Sequence, residues 1–224
     1  MSSCNAEAIA AAFEFGVDKK GLPSFSPSRL FIWYHAREKS SDPSAVLKNK
    51  GCSMRDAIKS LDFAAHGVCP EEDWPFKECK YDHKTRLFAP NERAARKPPV
   101  RAAKHAHDHT ASRYYTFSEP NLRKKLIQCL DNGYPIVFGM KTYGLLSTKN
   151  IDSNGEGLRV PTSRDQKKDE GRHGVMMVGY VESDRVFLVR NSWGTKFGKR
   201  GYFLMPYDYL EHCQNFWTIR VDSS

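Results

Sequence analysis

Residues 175–180 (Val-Met-Met-Val-Gly-Tyr) and 186–189 (Val-Phe-Leu-Val) are two short apolar runs separated by Glu182-Ser183-Asp184. Apolar runs of that length, bounded by a polar turn triplet, predict the two strands of an antiparallel hairpin. A hairpin also decides what meets at its open end. His173 opens the first run and Asn191 follows the second, so pairing brings an imidazole and an amide together. Trp193, two residues on, is in reach to cover them.

The pattern before this hairpin is different. Residues 5–15 place Ile9 and Phe13 one turn apart among alanines, and Gly16 reads as the stop of a helix. Ser26-Pro27 reads as a cap and first turn for a helix over 28–39. Ser53 caps a third helix with Ala57, Ile58, Leu61 and Ala65, ended by Gly67, and Ser118 and Pro120 open a fourth that ends near Gly133. Beyond it the period shortens. Residues 136–140, 202–205 and 216–221 join the hairpin as strand candidates. Helices first and strands later predict an α+β fold with two lobes rather than an alternating parallel sheet.

The chain has 224 residues, room for one large domain or two small ones sharing an interface. No apolar run approaches the roughly 18 residues of a membrane span. Residues 8–15 are apolar but short and lack a basic flank, so no signal peptide is read. With Met1 as the natural start, an intracellular setting is favoured. Six cysteines (4, 52, 69, 79, 129 and 213) show no C-x-x-C pair and are expected to be mostly reduced. Cys69 and Cys79 are the best candidates if any bridge forms.

The net charge is +9, and residues 84–113 hold eight Lys or Arg against Glu92 and Asp108. That stretch reads as a solvated basic loop, or as contact with an anionic partner, without a nucleic-acid-binding motif beside it. Residues 87–112 and 150–172 read as loops. The second carries the charged run 164–170 and ends on His173, so it is expected to shape the rim of a site there. His105, His107 and His109 alternate, and on an extended segment they would face one side and could bind a metal. A charged solvent loop is the competing reading.

Cys4 stands directly before the first predicted helix. The amides of a helix start and a nearby imidazolium both stabilise a thiolate. Alone, Cys4 reads as a free thiol, His173 as a satisfied polar residue and Trp193 as core. Together, Cys4, His173 and Asn191 are the parts of a thiolate nucleophile with an oriented acid–base.

With these residues the chain resembles the papain-like cysteine peptidases. The resemblance covers Ser3-Cys4 with residues 6–13, His173-Gly174-Val175 through Gly179-Tyr180, and Gly67-Val68-Cys69-Pro70 to Trp74-Pro75-Phe76. Its most specific part is Asn191-Ser192-Trp193-Gly194 with Gly198 and Gly201-Tyr202-Phe203. Residues 26–31 and 206–217 resemble the prokaryotic and viral branch more than animal cathepsins. The resemblance implies a single catalytic domain over 1–224, with a helical lobe over about 1–115 and a β-barrel-like lobe over about 116–224. The cleft between them would hold Cys4, His173 and Asn191 as catalytic residues, with Trp193 supporting. It implies hydrolysis of peptide or protein substrates, with no cofactor, no metal and no membrane.

Two departures qualify this. Only Met1, Ser2 and Ser3 precede Cys4, so the family's oxyanion glutamine is not present, and losing such a donor costs about 10²–10³ in turnover. Gly51-Cys52-Ser53-Met54 stands where the family has a cysteine and a glycine pair, which puts the usual S2 specificity in question. Two alternatives therefore stay open: a papain-fold acyl transferase or peptide ligase, and a weakly active or inactive relative acting as a binding protein.

Overall fold

The structure is a computed structural model describing residues 1–62, 64–111, 113–153, 157–168 and 171–221. Ser112, Asp169 and Glu170, which end the proline-rich loop and the charged run, lie outside the described residues. The chain divides into two compact units, residues 1–114 with those from Ile219 onward, and Tyr115–Thr218.

The first unit is helical. Helix α1 (Cys4–Lys19) buries Ile9, Phe13 and Val17, spaced four apart, with most of its alanines. It runs through Gly16, which the sequence reading took as its stop. A Cβ there would stand 3.0 Å from Cγ2 of Val221, so Gly16 gives the chain's last described residue room to pack. Tertiary contact outweighs the roughly 1 kcal/mol that glycine costs inside a helix.

Helix α2 (Arg29–Glu38) is buried from Leu30 to Arg37, so it is the unit's central element. Its cap is Ser28, whose hydroxyl accepts from the N–H of Phe31 at 3.2 Å, and not Ser26. Pro27 instead bridges Pro70. Arg37 is 1 % exposed. Its guanidinium lies 3.9 Å from the Trp33 ring and donates to the carbonyls of Trp33, Val46, Lys48 and Ala94. Five planar donors let one side chain satisfy carbonyls from three segments. Burial lowers its pKa to about 10, which still leaves it charged at neutral pH.

Helix α3 (Met54–Lys59) is capped by Ser53 as expected, but ends well before Gly67. Helix α4 (Val100–Ala106) occupies part of the stretch read as a loop, with Pro99 at its N-cap. It separates the alternating histidines, because successive odd positions on a helix point about 200° apart. His105 Nδ1 meets Asp73 Oδ2 at 2.7 Å, and His109 stacks on Phe25 at 3.9 Å. These histidines do not share a metal site.

The second unit carries the sheet. Its strands are β1 (Arg113–Phe117), β2 (Ile136–Lys141), β3 (Arg172–Val181), β4 (Val186–Arg190), β5 (Tyr202–Pro206) and β6 (Cys213–Arg220), in the order β1-β6-β2-β3-β4-β5. The pairs β2–β3, β2–β6, β3–β4 and β4–β5 are antiparallel. The sheet is open, with β1 and β5 at its edges, so the lobe is not the closed barrel that the β-barrel-like expectation suggested. Helix α5 (Leu122–Asp131) packs Leu122, Leu126 and Cys129 against a core that includes Phe138, Met177, Val189 and Phe216. Helix α6 (Thr148–Ser153) and a bidentate ion pair from Arg159 to Asp165, at 2.7 and 2.9 Å, give structure to the region between β2 and β3.

Candidate active site

The hairpin β3–β4 forms with Met177 opposite Val189 and Tyr180 opposite Phe187, and a register shift between Met177 and Gly179. His173 is the second residue of β3, and Asn191 follows β4 directly. The N–H of Asn191 donates to the carbonyl of Gly201 at 2.8 Å, which continues the β4–β5 pairing past the strand end and holds the amide in place.

Both side chains are buried, at 8 and 6 % exposure. Nε2 of His173 is 2.7 Å from Oδ1 of Asn191. The N–H of Ser192 donates to the same Oδ1 at 2.8 Å, which identifies that atom as the oxygen. An acceptor at Nε2 requires the proton there, so the neutral ring presents Nδ1 as its basic nitrogen. Burial holds the His173 pKa below its ordinary value, while the Asn191 bond pulls it back up.

Trp193 lies over this pair, its ring centroid 4.9 Å from that of His173 and tilted by 43°. Phe197 supports it edge-on at 5.1 Å. Trp193 is 48 % exposed, so it is a lid on the pair and not a core residue. The loop that delivers it turns on Gly198, where φ is +47° and a Cβ would run into the carbonyl of Tyr202. That accounts physically for one glycine of the motif.

Cys4 is the first residue of α1 and is partly exposed. Its surroundings are tied down. The N–H of Ser2 donates to Oδ1 of Asn49 at 2.8 Å, and Arg86 reaches the Ser2 hydroxyl at 3.0 Å. Asn5, the next residue after Cys4, donates from Nδ2 to the carbonyl of Cys52 at 2.7 Å. Sequence reasoning missed Asn5, Asn49 and Arg86, because nothing in local spacing links positions more than 40 apart. The polar residue directly after Cys4 was the one available signal.

None of the six cysteines is in a disulfide. Burial pushes the pKa of Cys69 up to about 12 and raises those of Cys79 and Cys213. Cys52 is also pushed up to about 12, by burial and then by Cys4 beside it. Thiols held protonated in this way are poor nucleophiles.

The model of the papain family cysteine protease matches residues 2–217. The chain belongs to the papain family of cysteine proteases. Within that family it is 32 % identical over 227 residues to an uncharacterized peptidase C1-like protein of Acanthamoeba polyphaga mimivirus, covering 98 % of this chain and 67 % of the relative. Bovine cathepsin S is 28 % identical over 179 residues, 76 % of this chain and 45 % of that protein. Among solved structures, xylellain, a cysteine protease from Xylella fastidiosa, matches with a TM-score of 0.86 and 35 % identity, over 99 % of this chain and 80 % of that one. These likenesses support the prokaryotic and viral branch of the papain family and its papain-like fold. The chain thus spans about two thirds of the mimivirus protein and less than half of cathepsin S.

The basic stretch is partly consumed internally. Arg101 pairs with Asp73 at 2.8 Å, Arg93 donates to the carbonyl of Pro75, and Arg86 serves Asn49 and Ser2. Lys77, Arg93, Arg96 and Lys97 line a recess of about 590 Å³ beside Trp74. Among the described residues no helix is long and apolar enough to cross a membrane.

Proposed function

We propose that the chain hydrolyses peptide bonds in peptide or protein substrates through a covalent thioester, with Cys4 as nucleophile, His173 as acid and base, and Asn191 as its positioning residue. In this reading the two units act as one catalytic domain, the helical one supplying the thiol and the β-rich one the base. The observation that carries it is the bond from His173 to Asn191, with the amide oxygen fixed by Ser192. It leaves Nδ1 as the nitrogen that exchanges a proton with the thiol.

The steps balance without a cofactor. Nδ1 takes the proton of Cys4, and Sγ bonds to the scissile carbonyl carbon. The oxygen that gains charge would take backbone N–H donors at the start of α1, where amides lack helical acceptors. Collapse breaks the C–N bond as Nδ1–H protonates the leaving amine. Water then gives its proton to Nδ1 and adds to the thioester, and the acid leaves as Sγ regains the proton. The same thioester handed to an amine would make the enzyme a ligase.

A fluorogenic peptide assayed with and without an added amine tests the reading. Hydrolysis that requires Cys4 supports it. An amine-capped product as the main product would move it to acyl transfer, and no turnover would leave a binding role. For an anionic partner, the recess at Lys77, Arg93, Arg96 and Lys97 is the place to look. Salt-sensitive binding of a polyanion, lost on reversing those charges, tests it.

A further inference from the structure

Away from Cys4 and His173, the helical unit buries a group of side chains with no role in peptide hydrolysis. His35 and Glu38 stand at i and i+3 on the last turn of α2, and His66 lies in the turn before Gly67. One donor atom from each lies within 4.8 Å of the other two. The two imidazoles stack face to face, with centroids 3.7 Å apart and planes 19° from parallel. Two imidazolium ions would repel strongly at that distance, so the stack favours neutral rings, the form that binds metals.

His35 is 7 % exposed, yet its Nε2 has no hydrogen-bond partner among the described residues. Its Nδ1 meets only Oε2 of Glu38, at 3.0 Å. A buried ring nitrogen without a hydrogen-bond partner costs free energy. The neighbourhood is crowded but open at one side, because Glu38 is largely exposed and His66 partly so.

We propose that His35, Glu38 and His66 bind a divalent transition metal ion, with zinc the best match. Two imidazole nitrogens and one carboxylate oxygen suit zinc, which takes them at about 2.0–2.2 Å and so draws them to about 3.3 Å from one another. Because imidazole lone pairs lie in the ring plane, binding requires the partly exposed His66 ring to turn out of the stack with His35 while the exposed Glu38 swings towards the ion. Three protein ligands leave a fourth position for water. The ion would clamp the end of α2 to the turn that follows α3. The cation must also sit near Lys39, whose charge acts on both histidines, and Glu38 supplies the compensating charge.

The test uses tag-free Cys4→Ala protein, so that the proposed nucleophile cannot take the metal. Zinc is titrated calorimetrically, and cobalt is added as a spectroscopic probe. One equivalent of zinc is expected to bind and to raise the melting temperature. Cobalt should give visible d–d bands without the charge-transfer band of a thiolate ligand. His66→Ala, a change at a partly exposed residue, should weaken binding by at least about 100-fold, beyond the 10–100-fold that loss of an outer partner costs. Glu38→Gln should weaken it too and remove the melting shift. Absence of saturable binding, a thiolate band with cobalt, or an affinity that falls less than about tenfold in His66→Ala would each overturn the site.

Discussion

Asn191 Oδ1 lies 2.7 Å from Nε2 of His173 and 2.8 Å from the backbone nitrogen of Ser192, so one oxygen sets the tautomer of the imidazole. A ring held in this way is ready to use Nδ1 before any substrate arrives. If, as proposed, Asn191 only orients the base, Asn191→Ala should lower turnover within about 100-fold, the scale of a small misplacement. His173→Ala should remove the proton transfer itself, worth about 10²–10⁴ and here expected at the upper end. Steady-state kinetics on one peptide substrate ranks the two. A larger loss for Asn191→Ala than for His173→Ala would contradict these roles.

Trp193 gives a separate readout. Its exposure of 48 % means that Trp193→Ala should cost only about 0.5–1.5 kcal/mol, the worth of an aromatic pair, and not the loss of a buried ring. Turnover should still fall, because water then reaches the His173–Asn191 bond. Urea unfolding and kinetics measured together check both halves. A destabilisation above about 3 kcal/mol would place Trp193 in the core instead.

Arg37 makes the opposite prediction. Its guanidinium serves the carbonyls of Trp33, Val46, Lys48 and Ala94. Arg37→Ala leaves those acceptors buried and unpaired, so a loss of about 3–5 kcal/mol is expected. Arg37→Lys should recover little, since an ammonium cannot span three segments. Chemical denaturation of both variants is the check, and a rescue by lysine would mean that charge alone mattered.

The acid side of the stability curve follows from His173. Burial holds its folded pKa below the unfolded value, near 6.5, despite the Asn191 bond. Above that value its contribution is intact. As pH falls below it, the unfolded chain takes up a proton that the native state resists, and stability declines towards the folded pKa. In Cys4→Ala protein, replacing His173 by Gln should therefore reduce the stability lost between about pH 7.5 and 5.5. Equal losses with and without the imidazole would show that its burial does not govern this range. A thiolate partner acts in the other direction, so the NMR titration midpoint of His173 should be higher in the native protein than in Cys4→Ala.

The meeting of His173 and Asn191 was legible in the sequence, and the reason is geometric. A hairpin with an evident turn places its two open ends together, and His173 and Asn191 stand at those ends. The short apolar strand runs, Ser53 as a cap and the change of period near residue 130 were legible for the same local reasons. What was hidden depended on distant partners. Gly16 looked like a stop because Val221, which needs its missing Cβ, is 205 positions away. The segment 100–106 looked like loop because its charges masked Pro99 as a helix start. β1 (Arg113–Phe117) is mostly exposed and so lacked an apolar signal. The histidines at 105, 107 and 109 were read with a strand's period on what is partly a helix, whereas His35 and His66 meet only through the packing of α2 with the chain after α3.

The proposed chemistry rests on Cys4 being a nucleophile activated by His173. The most direct measurement is covalent labelling with a peptidyl epoxide that requires a thiolate, read out by mass spectrometry of the digested protein. A single adduct on Cys4 is expected, abolished in Cys4→Ala, slowed by at least about 10² in His173→Ala, and only partly slowed in Asn191→Ala. Modification at Cys52 or another thiol in preference to Cys4, or undiminished labelling of Cys4 without His173, would contradict it.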